Sequence, residues 1–408
     1  MQDIWPDAAV RATLQRETER LLAFGVKAPI AGVGAAWLDD EGEPDLTRPV
    51  FTWITSRMVH VYALGHLMGV PGCAELASTA MSGLVGGPLR DPAGGWFPEV
   101  RPDGNPERVK ECYGHAFVVL AASTAVRAGL SGADRLLAEA LAIFDARFWD
   151  ETAGLAVDSW DADFTALSPY RGLNANMHTV EALLAAADVT GDRVLLERAA
   201  RICGFAATQA EANRWRLPEH FDDRWAPQLE FNADAKDDQF KPYGATVGHG
   251  FEWSRLLLHT EAALGLAALP TDGLDWLEAA RRLFERARLD GWAADGADGF
   301  VYTTDWDGTP VVRDRFHWVA AEAIAAAAVL RVRTGEPEYA EAFTSWWRYA
   351  EDHLVDRVHG SWHHQLDEQN RPASTVWPGK PDLYHAVQAT LIPRMPLAPS
   401  LATALAMR

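Results

Sequence analysis

Six histidines recur along this 408-residue chain at nearly even spacing: His60, His115, His178, His249, His317 and His385, with gaps of 55, 63, 71, 68 and 68 residues. Imidazole is the side chain whose ordinary pKa lies closest to neutral pH, so several of them around one cavity make a site for moving protons. Each stands at or near the start of an apolar stretch with helical periodicity. If those stretches are equivalent helices of a repeat, the histidines gather at one end of the fold.

The neighbours of each histidine suggest what they do. In GHGFEWSRLLLH (248–259), His249 and Glu252 are three apart and share a helix face, so Glu252 can orient the imidazole or bind a sugar hydroxyl. In WPGKPDLYHAVQATLIP (377–393), Asp382 reads as a helix N-cap and His385 falls in the first turn. In FTWITSRMVHVYALGHL (51–67), Arg57 shares a face with His60. An arginine on an apolar helix needs a partner, either an internal carboxylate or a substrate oxygen. Asn174 and His178 are four apart in YRGLNANMHTVEALL, and Tyr113 precedes His115 in ECYGHAF. His317 adjoins Trp318. Of His363 and His364, a strand would turn at most one toward the cavity. His220, His353 and His359 read as solvated, and His66 and His259 as packing residues.

The elements that must position these residues are helical. Period 3.6 and Gly/Pro punctuation give twelve stretches, at about 7–25, 55–69, 72–87, 113–129, 133–149, 174–190, 192–212, 249–268, 272–289, 316–334, 336–354 and 382–394. All six histidines fall on even-numbered stretches. Small-residue runs such as AAEAIAAAAVL (320–330) suit inner helices, and LDWLEAARRLFERARL (274–289) suits an outer one. Long loops with Gly beside aromatics join the pairs, and DGFVYTTDWDGTPVV reads as a β-hairpin with DG at its turn. A repeat of about 60 residues predicts an all-α (α/α)6 barrel with short β-hairpin loops at one mouth, the alternative being an open solenoid. With no Ser/Gly/Pro linker, residues 1–408 read as a single domain.

Bulk properties exclude several classes. A net charge of −20 argues against nucleic acid and anionic membranes. No run of 18 apolar residues occurs, and the polar N-terminus lacks a signal-peptide core. Cys73, Cys112 and Cys203 are odd in number and form no CxxC, which fits a reducing cytoplasm. No HExxH suggests a metal, and GVGAAW (32–37) lacks the last glycine of a dinucleotide fingerprint, so no cofactor is expected. A glycoside hydrolase would use paired carboxylates, for which Asp158, Asp161, Asp163, Asp305 and Asp307 are candidates. A non-catalytic repeat scaffold is a third class.

Together these segments resemble the N-acylglucosamine 2-epimerase superfamily, most closely its branch of mannose and sulfoquinovose isomerases. The resemblance rests on RM-x-H-x-YAL (Arg57 to Leu64), the Asn174/His178 pair, GH-x-x-EW-x-RL (Gly248 to Leu256) and KPDLYHA-x-QA (Lys380 to Ala389). It implies a metal-independent barrel enzyme that interconverts D-mannose and D-fructose through a cis-enediol, with His249 and His385 as the acid/base pair. It also implies a sugar site made by Arg57, Tyr113, Asn174, His178 and Glu252. Lys241, in FKPYG, resembles a cationic position of the family. A sugar 2-epimerase on the same scaffold is the alternative. The expected partner is a free monosaccharide, and the expected assembly a monomer or homodimer.

Overall fold

The computed structural model describes residues 5–271 and 273–407. Its helices are α1 (Ala8–Phe24), α2 (Thr52–Leu67), α3 (Cys73–Val85), α4 (Cys112–Arg127), α5 (Ala133–Ile143), α6 (Leu173–Thr190), α7 (Arg193–Ala212), α8 (Val247–Leu266), α9 (Trp276–Gly291), α10 (His317–Thr334), α11 (Pro337–Tyr349), α12 (Tyr384–Leu391) and α13 (Leu401–Ala406). The six inner helices α2, α4, α6, α8, α10 and α12 pack each on the next, and α12 returns to α2. Each is backed by an outer helix: α3 on α2, α5 on α4, α7 on α6, α9 on α8, α11 on α10 and α1 on α12. The ring closes as an (α/α)6 barrel, not a solenoid.

Residue size explains which helix goes where. The run from Ala320 to Ala328 in α10 is fully buried, because a helix surrounded by others needs small side chains on every face. Helix α9 turns Trp276, Leu283 and Phe284 inward and pairs Arg282 with Glu278 on its exposed face.

Inner and outer helices also begin differently. Three outer helices, α1, α7 and α9, start on side-chain caps: Asp7 accepts from Val10 N, Asp192 from Val194 N and Asp275 from Glu278 N. Five inner helices instead follow directly on a short strand. Val50–Phe51 pairs with Glu99–Val100, Val109–Glu111 with Ser159–Asp161, Arg171–Gly172 with His220–Phe221, Ala245–Thr246 with Thr303–Thr304, and Arg315–Phe316 with Gln365–Leu366. The first helical N–H then donates to a loop carbonyl: Thr52 to Pro98, Cys112 to Asp158, Leu173 to Glu219, Val247 to Tyr302 and His317 to His364. These ladders fix the height of each first turn and bring a loop residue to the barrel mouth. The expected hairpin is present, Thr303–Thr304 pairing with Pro310–Val312 around Gly308, whose φ is +98°.

Boundaries moved where turn chemistry won. The stretch expected at 272–289 begins at Trp276, and its Asp272 lies outside the described residues. The one expected from 382 begins at Tyr384, with the Asp382 side chain accepting from its N–H at 2.9 Å. Helix α13 was not anticipated; Ser400 caps it, and it packs on α2 and α4. Among the described residues, no helix is long and apolar enough to cross a membrane. The three cysteines are free and buried.

Candidate active site

The first turns of the inner helices enclose a cavity at the strand-lined mouth. Seven of the eight residues singled out from sequence line it: Arg57, Tyr113, Asn174, His178, His249, Glu252 and His385. Asp382, Tyr302, His317, Trp318 and His364 complete the wall, and Gln239, Phe240 and Trp377 close over it.

His249 and His385 approach from neighbouring parts of the ring and lie against the same indole. Trp318 is 5.1 Å from the His249 ring and 5.7 Å from the His385 ring, centroid to centroid. A β-carbon at Gly248 would overlap Trp318, so the glycine lets this indole sit between them. Each imidazole is tethered through Nδ1 to a buried carboxylate: His385 to Glu322 at 2.8 Å and His249 to Glu219 at 2.8 Å. With the Nδ1 proton given to the carboxylate, Nε2 is left as the acceptor. Burial first, and then the positive charge of Arg57, hold His385 well below the usual imidazole range. His385 is therefore neutral at pH 7, the form a base requires.

Glu252 does not orient His249, contrary to the expectation from their spacing. Its carboxylate accepts from Arg255 at 3.1 Å and lies 3.9 Å from His178 Nδ1. An i, i+3 step carries the glutamate one turn deeper, beyond reach of an imidazole held at the mouth. Arg255 also grips Glu322 at 2.5 Å and donates to Gln388 at 3.0 Å. One guanidinium thus faces Glu252, Glu322 and, at 3.9 Å, Glu181. Burial and the neighbouring Glu322 push Glu252 well above the carboxylate range, and its Oε2 is buried with no protein partner. This environment favours the protonated form of Glu252, which has a hydroxyl to donate. The groups Glu252/Glu322/His385 and His178/Glu181/Glu252 have ligand atoms close enough to hold a metal ion. Arg255 already lies among those carboxylates, and a divalent cation would have to share them with its charge.

Arg57 has the internal carboxylate its position demanded. It donates to Asp382 at 3.1 Å and to the Tyr113 hydroxyl at 3.1 Å, between the rings of Phe117, Trp53 and Tyr384. Asp382, read from sequence as a cap, does both jobs. Burial, then the Arg57 charge, holds His178 far below its ordinary value. Tyr113 is pushed up to about 12 by burial. The Asn174 side-chain oxygen is buried and unpartnered. His317 stacks on His364 at 3.8 Å, and burial lowers it to about 4.

The full ring of six histidines did not form. His60 lies one turn below Arg57, its Nδ1 on Thr124 at 2.8 Å. His115 faces away from the axis, bonded to the Glu111 carbonyl at 2.7 Å, because Tyr113 takes the inward position on α4. His220, read as solvated, is buried between Tyr170 and the Pro242 carbonyl. His66, read as packing, is exposed. Lys241 lies outside the histidine cavity. It sits over Tyr170 at 4.1 Å, 3.9 Å from Asp158, in an adjoining cleft lined by Glu99, Glu107, Glu111, Asp158 and Asp238. The loop aspartates proposed for hydrolysis do not converge: Asp161 and Asp307 cap their own turns, and Asp305 accepts from Tyr243. Of His363 and His364, only His364 lines the cavity, within the limit that strand alternation set. The sequence reading missed Glu219, Glu322, Tyr302 and Trp377 as site residues. Glu219 and Tyr302 share one feature with His364: each is the loop residue whose carbonyl receives the first N–H of an inner helix.

A closed (α/α)6 barrel with a histidine-lined mouth is the architecture of one sugar-isomerising family, and the chain belongs to it: the N-acylglucosamine 2-epimerase (GlcNAc 2-epimerase) profile matches residues 34–389. Within the family, it is 51% identical over 404 residues to the D-mannose isomerase of Thermobifida fusca, covering 98% of each chain. It is 46% identical to the D-mannose isomerase of Pseudomonas cannabina pv. alisalensis, covering 96% of this chain and 94% of that one. A crystal structure of a D-mannose isomerase superposes with a TM-score of 0.86 at 27% identity, covering 96% and 98% of the two chains.

Proposed function

We propose that this chain is an aldose–ketose isomerase that interconverts D-mannose and D-fructose, with His385 and His249 as its acid/base pair. The observation that carries the mechanism is the pair of imidazoles on Trp318, each tied through Nδ1 to its own carboxylate. The family and the names of its relatives support the substrate.

The chemistry follows from the hydrogen being moved. H2 of an aldose becomes acidic only in the open-chain aldehyde, so the ring must open first. His249 takes the proton from O1, the C1–O5 bond breaks as C1=O1 forms, and the proton is returned to O5. His385 then removes H2, and the C2 electron pair forms the C1=C2 bond of a cis-enediolate. Neutral at rest, His385 can accept that proton and hand it to C1 on the same face, while His249 carries the O2 proton to the O1 oxyanion and C2=O2 forms as the C1=C2 bond is lost. The developing charge on O1 is met by Arg57 and by the protonated Glu252, both fixed before the reaction begins. Tyr113, Asn174 and His178 hold the remaining hydroxyls. Lys241 and the acidic cleft lie on the approach.

The chain acts as one catalytic domain on a free sugar in the cytoplasm, and no step needs a metal ion. A panel of free aldoses and ketoses with and without EDTA tests this. Fructose from mannose, undiminished by chelation, is expected; glucose as the sole product would replace the isomerase with a 2-epimerase.

A further inference from the structure

Among the described residues, the least exposed carboxylates meet a lysine or arginine with one exception. Asp91 meets Lys110, Asp290 meets Arg216, Asp356 meets Lys380, Asp382 meets Arg57, and Glu322 meets Arg255. Glu219, only 4% exposed, has no lysine or arginine within ion-pair distance among the described residues. Its one ionic partner is His249, and its second oxygen is buried without any partner. A buried carboxylate that leans on an imidazole alone is costly to the fold. Its backbone is also fixed to serve that histidine, since the Glu219 carbonyl receives the first N–H of α6 at 2.9 Å. The contrast with the other imidazole is chemical. Glu322 shares its charge with Arg255, so little is left for His385, which is also surrounded by Arg57, His317, His364, His178 and Asp382. Around His249 stand Glu219 and His220, at the entry to the strand His220–Phe221, Glu252 from α8 itself, His178 from α6, Tyr302 from the neighbouring hairpin and His385 from α12. Only Glu219 touches the His249 ring with an unshared carboxylate.

We infer that Glu219 is the positioning residue for ring opening: it aims His249 Nε2 at the sugar, and its unshared charge balances the imidazolium formed when His249 takes the O1 proton. Ring opening is thereby given a carboxylate of its own, separate from the Glu322 that supports C2–H transfer. This rests on the isomerase reading above. It differs from that reading in predicting that the two steps can be lost separately.

The probe for ring opening is the anomerisation of 2-deoxy-D-glucose, which can open its ring but has no C2 hydroxyl from which to form a ketose. The wild type should accelerate anomerisation, followed by NMR. Glu219→Gln, which keeps a hydrogen-bond acceptor without the charge, should lose that acceleration by about 100-fold. Its turnover of 2-deuterated mannose should show an isotope effect on kcat/KM falling toward 1, because opening has become slow. Glu219→Asp should recover part of both. Glu322→Gln should keep anomerisation and retain the full isotope effect. Anomerisation by Glu219→Gln at the wild-type rate, or equal loss of both steps with an unmoved isotope effect, overturns the assignment. Failure of the wild type to make fructose from mannose would instead defeat the isomerase reading and leave the anomerisation result to judge Glu219 separately.

Discussion

Two acidic regions meet at the barrel mouth, and they handle charge in opposite ways. Around the histidine cavity the buried charges other than Glu219 have a permanent counter-ion: Arg57 with Asp382, and Arg255 with Glu322. In the adjoining cleft, five carboxylates face one half-exposed lysine. The two share Tyr113, Asn174 and Phe240 as a common wall. The difference teaches where chemistry resides. Compensated groups in a closed site have fixed positions and displaced pKa values, as acid/base work requires, whereas the cleft's ion pairs, Glu107 with Arg101 and Asp158 with Lys241, use half-exposed cations that meet solvent.

The largest expected effect is in the cavity. His385→Ala should lower kcat/KM for mannose by about a thousandfold while leaving the melting temperature near that of the wild type, because the role proposed for the residue is proton transfer. A loss under tenfold would move the base elsewhere.

Next is Asp382→Asn, which strands a buried guanidinium. It should destabilise the fold by about 3 kcal/mol in urea titrations, besides impairing turnover. Burial works against ionisation of Asp382, yet Arg57 holds its pKa below the ordinary 3.8. Its stabilisation is present above that value and fades as pH falls through the lower folded-state one, so the wild-type advantage over Asp382→Asn should shrink in acid.

The cleft should behave in the reverse sense. Burial and Asp158 push Glu111 up to about 7 from 4.5. A raised carboxylate contributes its stability below 4.5 and loses it as pH rises through 7. Glu111→Gln should thus melt with the wild type near pH 4 and above it at pH 8, as thermal circular dichroism would show. Identical curves at both pH values would erase the distinction between the regions.

The smallest effect is Lys241→Ala. With its side chain 42% exposed, this residue should change KM by about threefold and leave kcat alone.

The barrel and half of the site could be read from sequence for one reason: both depend on helical period. Small-residue runs marked α10 as an inner helix, and the intervals from Asn174 to His178 and from Arg57 to the mouth follow the same geometry. What depends on loop conformation could not be read. His60 and His115 share the even spacing of the other four histidines, but a turn's depth or half a turn of phase takes them off the cavity. Glu219 and His364 arrive through strand pairing between segments far apart in the chain, which periodicity does not encode. Asp382 looked fully explained as a cap, and satisfying one backbone N–H left its second oxygen free for Arg57.

Mannose incubated with the protein and a chelator in deuterated water tests the central claim most directly, with NMR of the product from the wild type and from His385→Asn. The two-histidine account predicts fructose whose C1 bears the hydrogen taken from C2 in the wild type, and neither fructose nor exchange at C2 from the variant. Glucose deuterated at C2 as the only product, or fructose formed by His385→Asn at an undiminished rate, would contradict it.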